Sequence, residues 1–485
     1  MNVIKRNLGW LLLSQAATWG CSIALLLIAP RKLGDNAFGQ LSFALVYVSF
    51  FELVALFGSG TYLMKEIARD TTSLARYVVN TLILKVPLTL ALIVIAIGLA
   101  IALGYSSDMV LLIGAYCLGM FFNSLNNALA GGLQGIEHMG RPALWDVARA
   151  YVGTAFGLIV LYNGGSLLAY ALAFNIACAI PLIGNAFYIR PWLRTRTPID
   201  VRLWGRILAG GTPFFIWSAL LVVYGTIDIP LLERFSGNDA VGWYALAWRW
   251  VSMPAFFAAS VSVAFFPALS AQRVHVPESF ARTANRALHL VVFVATPAAF
   301  GIAVIADTFI STLYGGQFQE AVPLMRILAL HIPIVGMDIV LGSVLVTADR
   351  QRQWVMVGVI AAIFNPLINL AAIPLTDSWF GNGAIGAAII TVMTELIMMT
   401  GAIRLRPAGV LDAPTRNLLL RIVLAGAAMI PVVLVLRPTP LPVQILAGAA
   451  TYGLVSLALG TISIREIRTM GVGMIGRGRR STVAP

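Results

Sequence analysis

Charge is scarce in this sequence. Asp, Glu, Lys and Arg supply 11% of its 485 residues and hydrophobic residues 59%, whereas soluble domains carry about 25% charged residues. Such a chain, divided into soluble domains, would lack the polar surface to cover them. Cysteine is nearly missing too. Cys21, Cys117 and Cys178 fall inside apolar runs, at spacings that suit neither a metal site nor a disulfide framework, and are expected to be packing residues. There is no phosphate-binding loop, nucleotide-binding domain or metal-ligand cluster. Long loops are lacking as well: the longest reach only the length of Thr312–Pro323 on one side and Ile189–Arg206 on the other. A membrane glycan polymerase or ligase needs a substantial loop for its acceptor. A transporter is therefore expected, with no catalytic residues.

What the sequence has is apolar runs. A spanning helix needs about 20 mostly apolar residues. Such windows lie at 8–29, 38–60, 78–103, 109–132, 143–162, 166–189, 207–231, 241–269, 287–311, 324–347, 354–374, 384–403, 418–436 and 440–464. The mean hydropathy is +0.88. These fourteen windows predict an all-α polytopic membrane protein, and the alternating ten-residue segments of a membrane β-barrel are missing. Lys5 and Arg6 precede a first run too long for a signal peptide's apolar region, so it is read as an uncleaved span.

Basic residues set the orientation, because Lys and Arg are retained in cytoplasmic loops. With the N-terminus inside, 26 of the 33 bases fall in inner segments, four outside (Arg31, Lys32, Arg234, Arg437) and three within spans. Both termini are therefore expected in the cytoplasm. The net charge of +13 is topological, suited to anionic inner-leaflet lipid rather than nucleic acid.

One pattern occurs twice. Arg31–Ala44, RKLGDNAFGQLSFA, and Arg234–Ala247, RFSGNDAVGWYALA, share R-x-x-G-x-x-A-[FV]-G-x-[LY]-x-x-A, displaced by 203 residues. Each copy is a loop and the start of the next span, and six spans separate them. An even number keeps the orientation, so the repeat is parallel. The sequence then divides into an N-lobe of six helices at 1–189, a basic connector at 190–206 and a C-lobe of six helices at 207–403. Two further helices at 404–464 and a basic tail at 465–485 complete it.

The N-terminal stretch from NLGWLLLSQAATWG to TYLMKEIARD, the DAVGWYALAWRW after span seven and the ISTLYGGQFQEAVPLMRILAL after span nine resemble polysaccharide (Wzx-type) flippases. These belong to the multidrug/oligosaccharidyl-lipid/polysaccharide exporter superfamily. The resemblance runs over essentially the whole chain. It implies a MATE-like fold and alternating access between two lobes, driven by a proton or sodium gradient with no resident cofactor. It also implies movement of an undecaprenyl-diphosphate-linked oligosaccharide across a bacterial inner (plasma) membrane, for O-antigen, capsule or exopolysaccharide. Membrane lipids, a polysaccharide polymerase and a chain-length regulator are the implied partners. Two relatives in the superfamily are alternatives: a multidrug antiporter, which is expected to carry an acidic residue in span one, and a lipid II flippase, expected to carry arginines in spans one and two. Neither feature is present.

Charges inside spans are costly, at roughly 2.5–3.5 kcal/mol each. Glu52, Lys85, Asp228, Arg249, Arg326, Asp338 and Glu395 must therefore pair or face a wet interior. Depth along the helices suggests the pairs Glu52–Lys85 and Asp228–Arg249, as fixed bridges or as cavity lining. Candidate substrate contacts are Arg249, Lys85 and Arg326, with Asn123 and Asn127 from the span-four stripe Asn123, Asn126, Asn127. Such stripes serve either helix packing or sugar binding, as do Asn365 and Asn369 in span eleven. Candidate ion-coupling carboxylates are Glu52, Asp228, Asp338 and Glu395. His331, seven residues before Asp338, is expected to be a packing residue. Pro213, Pro230, Pro254 and Pro267 make spans seven and eight the expected bending elements.

Overall fold

The computed structural model describes residues 2–193 and 197–462. Arg194 and Arg196 of the connector, and the tail 465–485, lie outside the described residues. Among the described residues the chain is helical, with no strand. Twelve stretches are long and apolar enough to cross a membrane. One of them, Val201–Arg273, runs for 73 residues and holds predicted spans seven and eight, and a further 32-residue helix, Asn2–Leu33, precedes all twelve. The chain is a multi-pass membrane protein.

The backbone forms two compact units, Met1–Leu246 with Asn365–Gly386, and Ala247–Phe364 with Ala387–Pro485. The first contains α1 (Asn2–Leu33), α2 (Asp35–Leu56), α3 (Ser59–Arg69), α4 (Leu74–Ala102), α5 (Ser107–Gly135), α6 (Gly140–Tyr162), α7 (Leu167–Ala177), α8 (Ala179–Ile189), α9 (Val201–Thr226) and most of α10 (Asp228–Ser252). The second contains α11 (Ala255–His275), α12 (Pro277–Tyr314), α13 (Ala321–Ala329), α14 (His331–Thr347), the start of α15 (Gln351–Phe380), most of α16 (Ala384–Leu405), α17 (Ala413–Ala427), α18 (Met429–Val435) and α19 (Leu441–Ala458).

Prolines decide where four spans break. A proline lacks the N–H that would bond the carbonyl four residues back. Pro181, Pro230, Pro333 and Pro431 stand four residues after Ala177, Thr226, Ala329 and Ala427, which are the last residues of α7, α9, α13 and α17. Of the prolines expected to bend spans seven and eight, Pro230 follows this rule and Pro254 precedes α11. Pro213 and Pro267 lie inside α9 and α11 without interrupting them. Helices in lipid tolerate such prolines when neighbours re-satisfy the freed carbonyls.

In the first unit, Leu63, Ile67, Val78, Leu133, Ile189 and Ile207 form the buried core. Lipid is as apolar as these side chains, so close approach through small residues carries the packing. A methyl group on Gly131 would sit 2.6 Å from Gly60 O, so α3 and α5 nearly touch along their backbones. Leu288, Val291, Leu341, Val344 and Leu345 belong to the core of the second unit.

At the start of α9, Asp200 caps the helix through Leu203 N and pairs with Arg76. The guanidinium holds this half-buried carboxyl below the usual carboxylate range. A depressed carboxyl stabilises the fold above its unfolded value and stops doing so as pH falls through the folded one. The melting temperature of Asp200→Asn should therefore lie below wild type at neutral pH and converge with it under acid conditions.

Candidate functional site

The two copies of the repeat have the same backbone. Gly34 has φ 83°, ψ 173° and Gly237 has φ 80°, ψ −176°, a region essentially reserved for glycine. Gly34 turns the chain into α2. Gly237 reverses it inside α10: Tyr244 lies 16 residues after Asp228, about 24 Å along a straight helix, yet its Oη donates to Asp228 Oδ2 at 2.7 Å.

The copies also pack on each other, within the first unit. A methyl group on Gly39 would sit 1.8 Å from Asn238 O, and one on Gly242 would sit 2.2 Å from Asp35 O. Gly242 and Asn238 are the repeat equivalents of Gly39 and Asp35, so the contact is reciprocal, as across a two-fold axis. Asn36 and Asp239 occupy the same repeat position, and Asn36 Nδ2 donates to Asp239 Oδ1 at 2.8 Å. Two identical side chains there would be Asp against Asp or Asn against Asn; the Asn–Asp difference matches donor to acceptor. Trp243 Nε1 adds a bond to Asp35 Oδ2, 2.8 Å. The stretch is written twice because its copies are each other's packing partners.

A polar group lies among the apolar helices of the same unit. Glu52 on α2 accepts from Asn123 Nδ2 on α5 at 3.2 Å, within electrostatic range of Arg149 on α6. Arg149 keeps its side chain 40% exposed, with Nε 3.9 Å from Asp146 Oδ1. By sequence Arg149 counts as an inner-loop base; it sits instead nine residues inside α6.

The predicted Glu52–Lys85 bridge is not formed. Lys85 is 2% exposed, and its Nζ donates to Ser124 O at 3.0 Å and Asn127 Oδ1 at 3.2 Å. Glu52 is its electrostatic neighbour only. Burial makes α5's own acceptors the nearer way to satisfy the ammonium. Asn126 takes a bond from Asn185 Nδ2, 2.8 Å, so of the stripe only Asn123 turns to the Glu52 group. Lys85→Ala should remove the charged donor of Ser124 O and Asn127 Oδ1, hydrogen bonds to a charged group being worth about 1.5–3 kcal/mol each. Its melting temperature in detergent should fall by several degrees, while Arg326→Ala, at an exposed position on α13, should melt as wild type.

Asp228 opens α10, where free N–H groups favour a carboxylate. It is 3% exposed and accepts from Asn369 Nδ2 at 2.7 Å, in addition to Tyr244. Asn369 also donates to Asn365 Oδ1 at 3.0 Å, and its own Oδ1 has no hydrogen-bond partner. Arg249 belongs to the second unit, close to Tyr314. The other predicted carboxylates of that unit are brought together, with Glu395 next to both Asp338 and His331.

The polysaccharide biosynthesis protein family model matches residues 4–272, more than half of the chain. The chain belongs to that family. A lipid II flippase MurJ model matches residues 203–439. Among curated relatives, the probable flippase AglR of Haloferax volcanii is 25% identical, over 89% of this chain and 90% of its own. The succinoglycan biosynthesis transport protein ExoT of Rhizobium meliloti is 22% identical, over 67% and 66%. A lipid II flippase MurJ in an inward closed conformation shares the fold at a TM-score of 0.75, with 15% identity and coverage of 96% and 99%. An inward-facing MATE transporter shares it at 0.57, with 17% identity and coverage of 79% and 94%. The family member described here is accordingly a transporter of the flippase class, with the fold of that superfamily, and not an enzyme.

Sequence reasoning missed two parts of its site. Arg149 was hidden by the inner-loop count, although an arginine well inside a helix start was a usable signal. The meeting of His331, Asp338 and Glu395 had a partial signal in the seven-residue spacing of the first two.

Proposed function

We propose that this chain carries an undecaprenyl-diphosphate-linked oligosaccharide from the inner to the outer leaflet of a bacterial plasma membrane. Both termini face the cytoplasm, and the glycan is destined for O-antigen, capsule or exopolysaccharide. The observation that carries this reading is Arg149, its side chain 40% exposed, near Glu52 and Asn123 among apolar helices. A guanidinium presents a planar fork of donors that matches phosphate oxygens, and amide and carboxylate groups beside it suit a sugar. Lys85, its ammonium already bonded, is poorly placed for the same task in this state.

Alternating access fits the repeat, whose copies meet in a reciprocal contact within the first unit; with the termini inside, that contact lies toward the outer face. Ion coupling is assigned to Asp228. Its carboxylate and the partnerless Asn369 Oδ1 are the oxygen ligands a hard cation prefers, so sodium is the proposed ion at this centre.

The test is deletion in the host, with a probe of undecaprenyl-linked oligosaccharide that reaches only the outer leaflet. Accumulation of the oligosaccharide on the inner leaflet is expected. Wild type should restore export, Arg149→Lys partly, and Arg149→Ala about 10–100-fold less, since losing a charged phosphate contact costs about 1.5–3 kcal/mol. A deletion strain with normal surface polysaccharide would refute the proposal. The MurJ-model match over 203–439 favours a second reading, a lipid II flippase, for which lipid II would accumulate instead.

A further inference from the structure

We propose that the first unit carries a binding site for the phosphate headgroup of an anionic phospholipid, formed by Arg141 on a platform of three rings, His138, Tyr188 and Trp192. The site lies where α5 ends, α6 begins and α8 ends. Arg141 precedes Arg149 by two turns of α6, about 12 Å, so it is separate from the Glu52 group and does not rest on the glycolipid reading.

The three rings brace one another. Tyr188 Oη and His138 Nδ1 share a hydrogen bond of 2.8 Å, with ring centroids 5.8 Å apart. Trp192, on the 3-10 segment Arg190–Leu193, meets His138 edge-on at 5.6 Å and Tyr188 at 5.8 Å. Above the outer face of this platform stands Arg141, its Cζ 4.8 Å from the Tyr188 centroid. That is within cation–π reach. Such a contact uses the flat face of the guanidinium and leaves the N–H donors along its edge. No hydrogen bond or ion pair to another described residue engages those donors, and Arg141 is exposed. A guanidinium fixed by its face, with its edge open, presents the fork of donors that phosphate oxygens accept.

The adjoining surface selects a lipid over a soluble anion. Ile183 and Phe187, one turn apart on α8, are exposed inside the membrane-crossing stretch Leu167–Leu193. Apolar side chains exposed within a span suit acyl chains, not water. Tyr188 follows Phe187 directly, and Trp192 stands where the stretch ends, 40% exposed. Tyrosine and tryptophan at a span end mark the level of the headgroups. A second exposed base, Arg190, lies between the two rings in the chain. Arg141 and Arg190 outnumber Glu137, the acid beside His138, which favours an anionic headgroup over a zwitterionic one. Apolar flank, aromatic level and basic edge thus follow one another in the order of a phospholipid's own parts.

Native mass spectrometry of the full chain, released from nanodiscs of equal parts phosphatidylglycerol and phosphatidylcholine, tests the site. The most tightly retained lipid should be phosphatidylglycerol. Arg141→Ala should lower its occupancy about tenfold, as expected for one lost charged contact, and Arg141→Lys should lower it less. Tyr188→Leu, which removes the ring beneath the guanidinium, should weaken retention, whereas Tyr188→Phe should preserve it. Arg416→Ala, an exposed base on α17, should bind as wild type. Circular dichroism melts of each variant separate lost binding from lost fold. Equal retention of the two lipids would overturn the proposal, as would the same loss in Arg416→Ala as in Arg141→Ala, which would mean net charge alone. Displacement of the lipid by inorganic phosphate would make this a soluble-anion site, and displacement by one equivalent of undecaprenyl phosphate a carrier-lipid site; either outcome would also overturn it.

Discussion

Gly39→Ala and Gly242→Ala are each expected to cut export about 10–100-fold while Gly98→Ala leaves it unchanged. The new methyl group would stand 1.8 Å or 2.2 Å from a backbone oxygen of the other repeat copy, and at Gly98 it would meet nothing within 4 Å. Backbone atoms cannot rotate aside as a side chain can, so the two helix starts must separate. Overpacking of this kind costs about 1–3 kcal/mol, and each 1.4 kcal/mol is tenfold in the population of the closed arrangement. The penalty falls on the state in which the copies touch, so folding and membrane insertion should survive. A cysteine at Asn36 reads the same event in a second way: an impermeant thiol reagent should label it faster in the Gly39→Ala background. Unchanged export together with unchanged labelling would remove the repeat contact from the transport cycle.

Asp228 carries the second large effect. Asp228→Ala removes the acceptor of Tyr244 Oη and Asn369 Nδ2, both inside the first unit. Each hydrogen bond to the lost carboxylate is worth about 1.5–3 kcal/mol, and the melting temperature should fall accordingly. Asp228→Asn retains an acceptor oxygen and the side-chain shape, so it should fold. It lacks the charge that the proposed sodium site needs, and on that proposal sodium-dependent export should be lost with little change in melting temperature. Proteoliposomes of the two variants, assayed with an imposed sodium gradient, separate the roles. An Asp228→Asn protein that still follows the sodium gradient would make Asp228 a structural acceptor and nothing more.

The pairing rules explain how far a linear reading could reach. Depth along a helix placed Glu52 and Lys85 at one level, and they are electrostatic neighbours. Depth does not give rotation about the helix axis, and rotation aims Lys85 at Ser124 and Asn127. Arg149 suffered from the same limit: a topology count treats every base near a span end as a loop residue. The spacing of His331 and Asp338 was visible, whereas Glu395 comes from a helix more than fifty residues away.

By itself the sequence determined the solvent and the class. Fourteen apolar windows with charge this scarce can only be buried in lipid, because the unpaired backbone groups and apolar faces have no cheaper environment. It carried the repeat in plain view, and it supplied the prolines at which four spans break, although Pro213 and Pro267 interrupt nothing. Only the tertiary structure decided that the repeat copies embrace each other, that Lys85 is spent on α5 while Arg149 lies near Glu52, and that His331 and Glu395 of the second unit meet. Those outcomes depend on which faces of distant helices meet, and helix faces in lipid are chosen by packing and polar satisfaction across elements, which no single segment encodes.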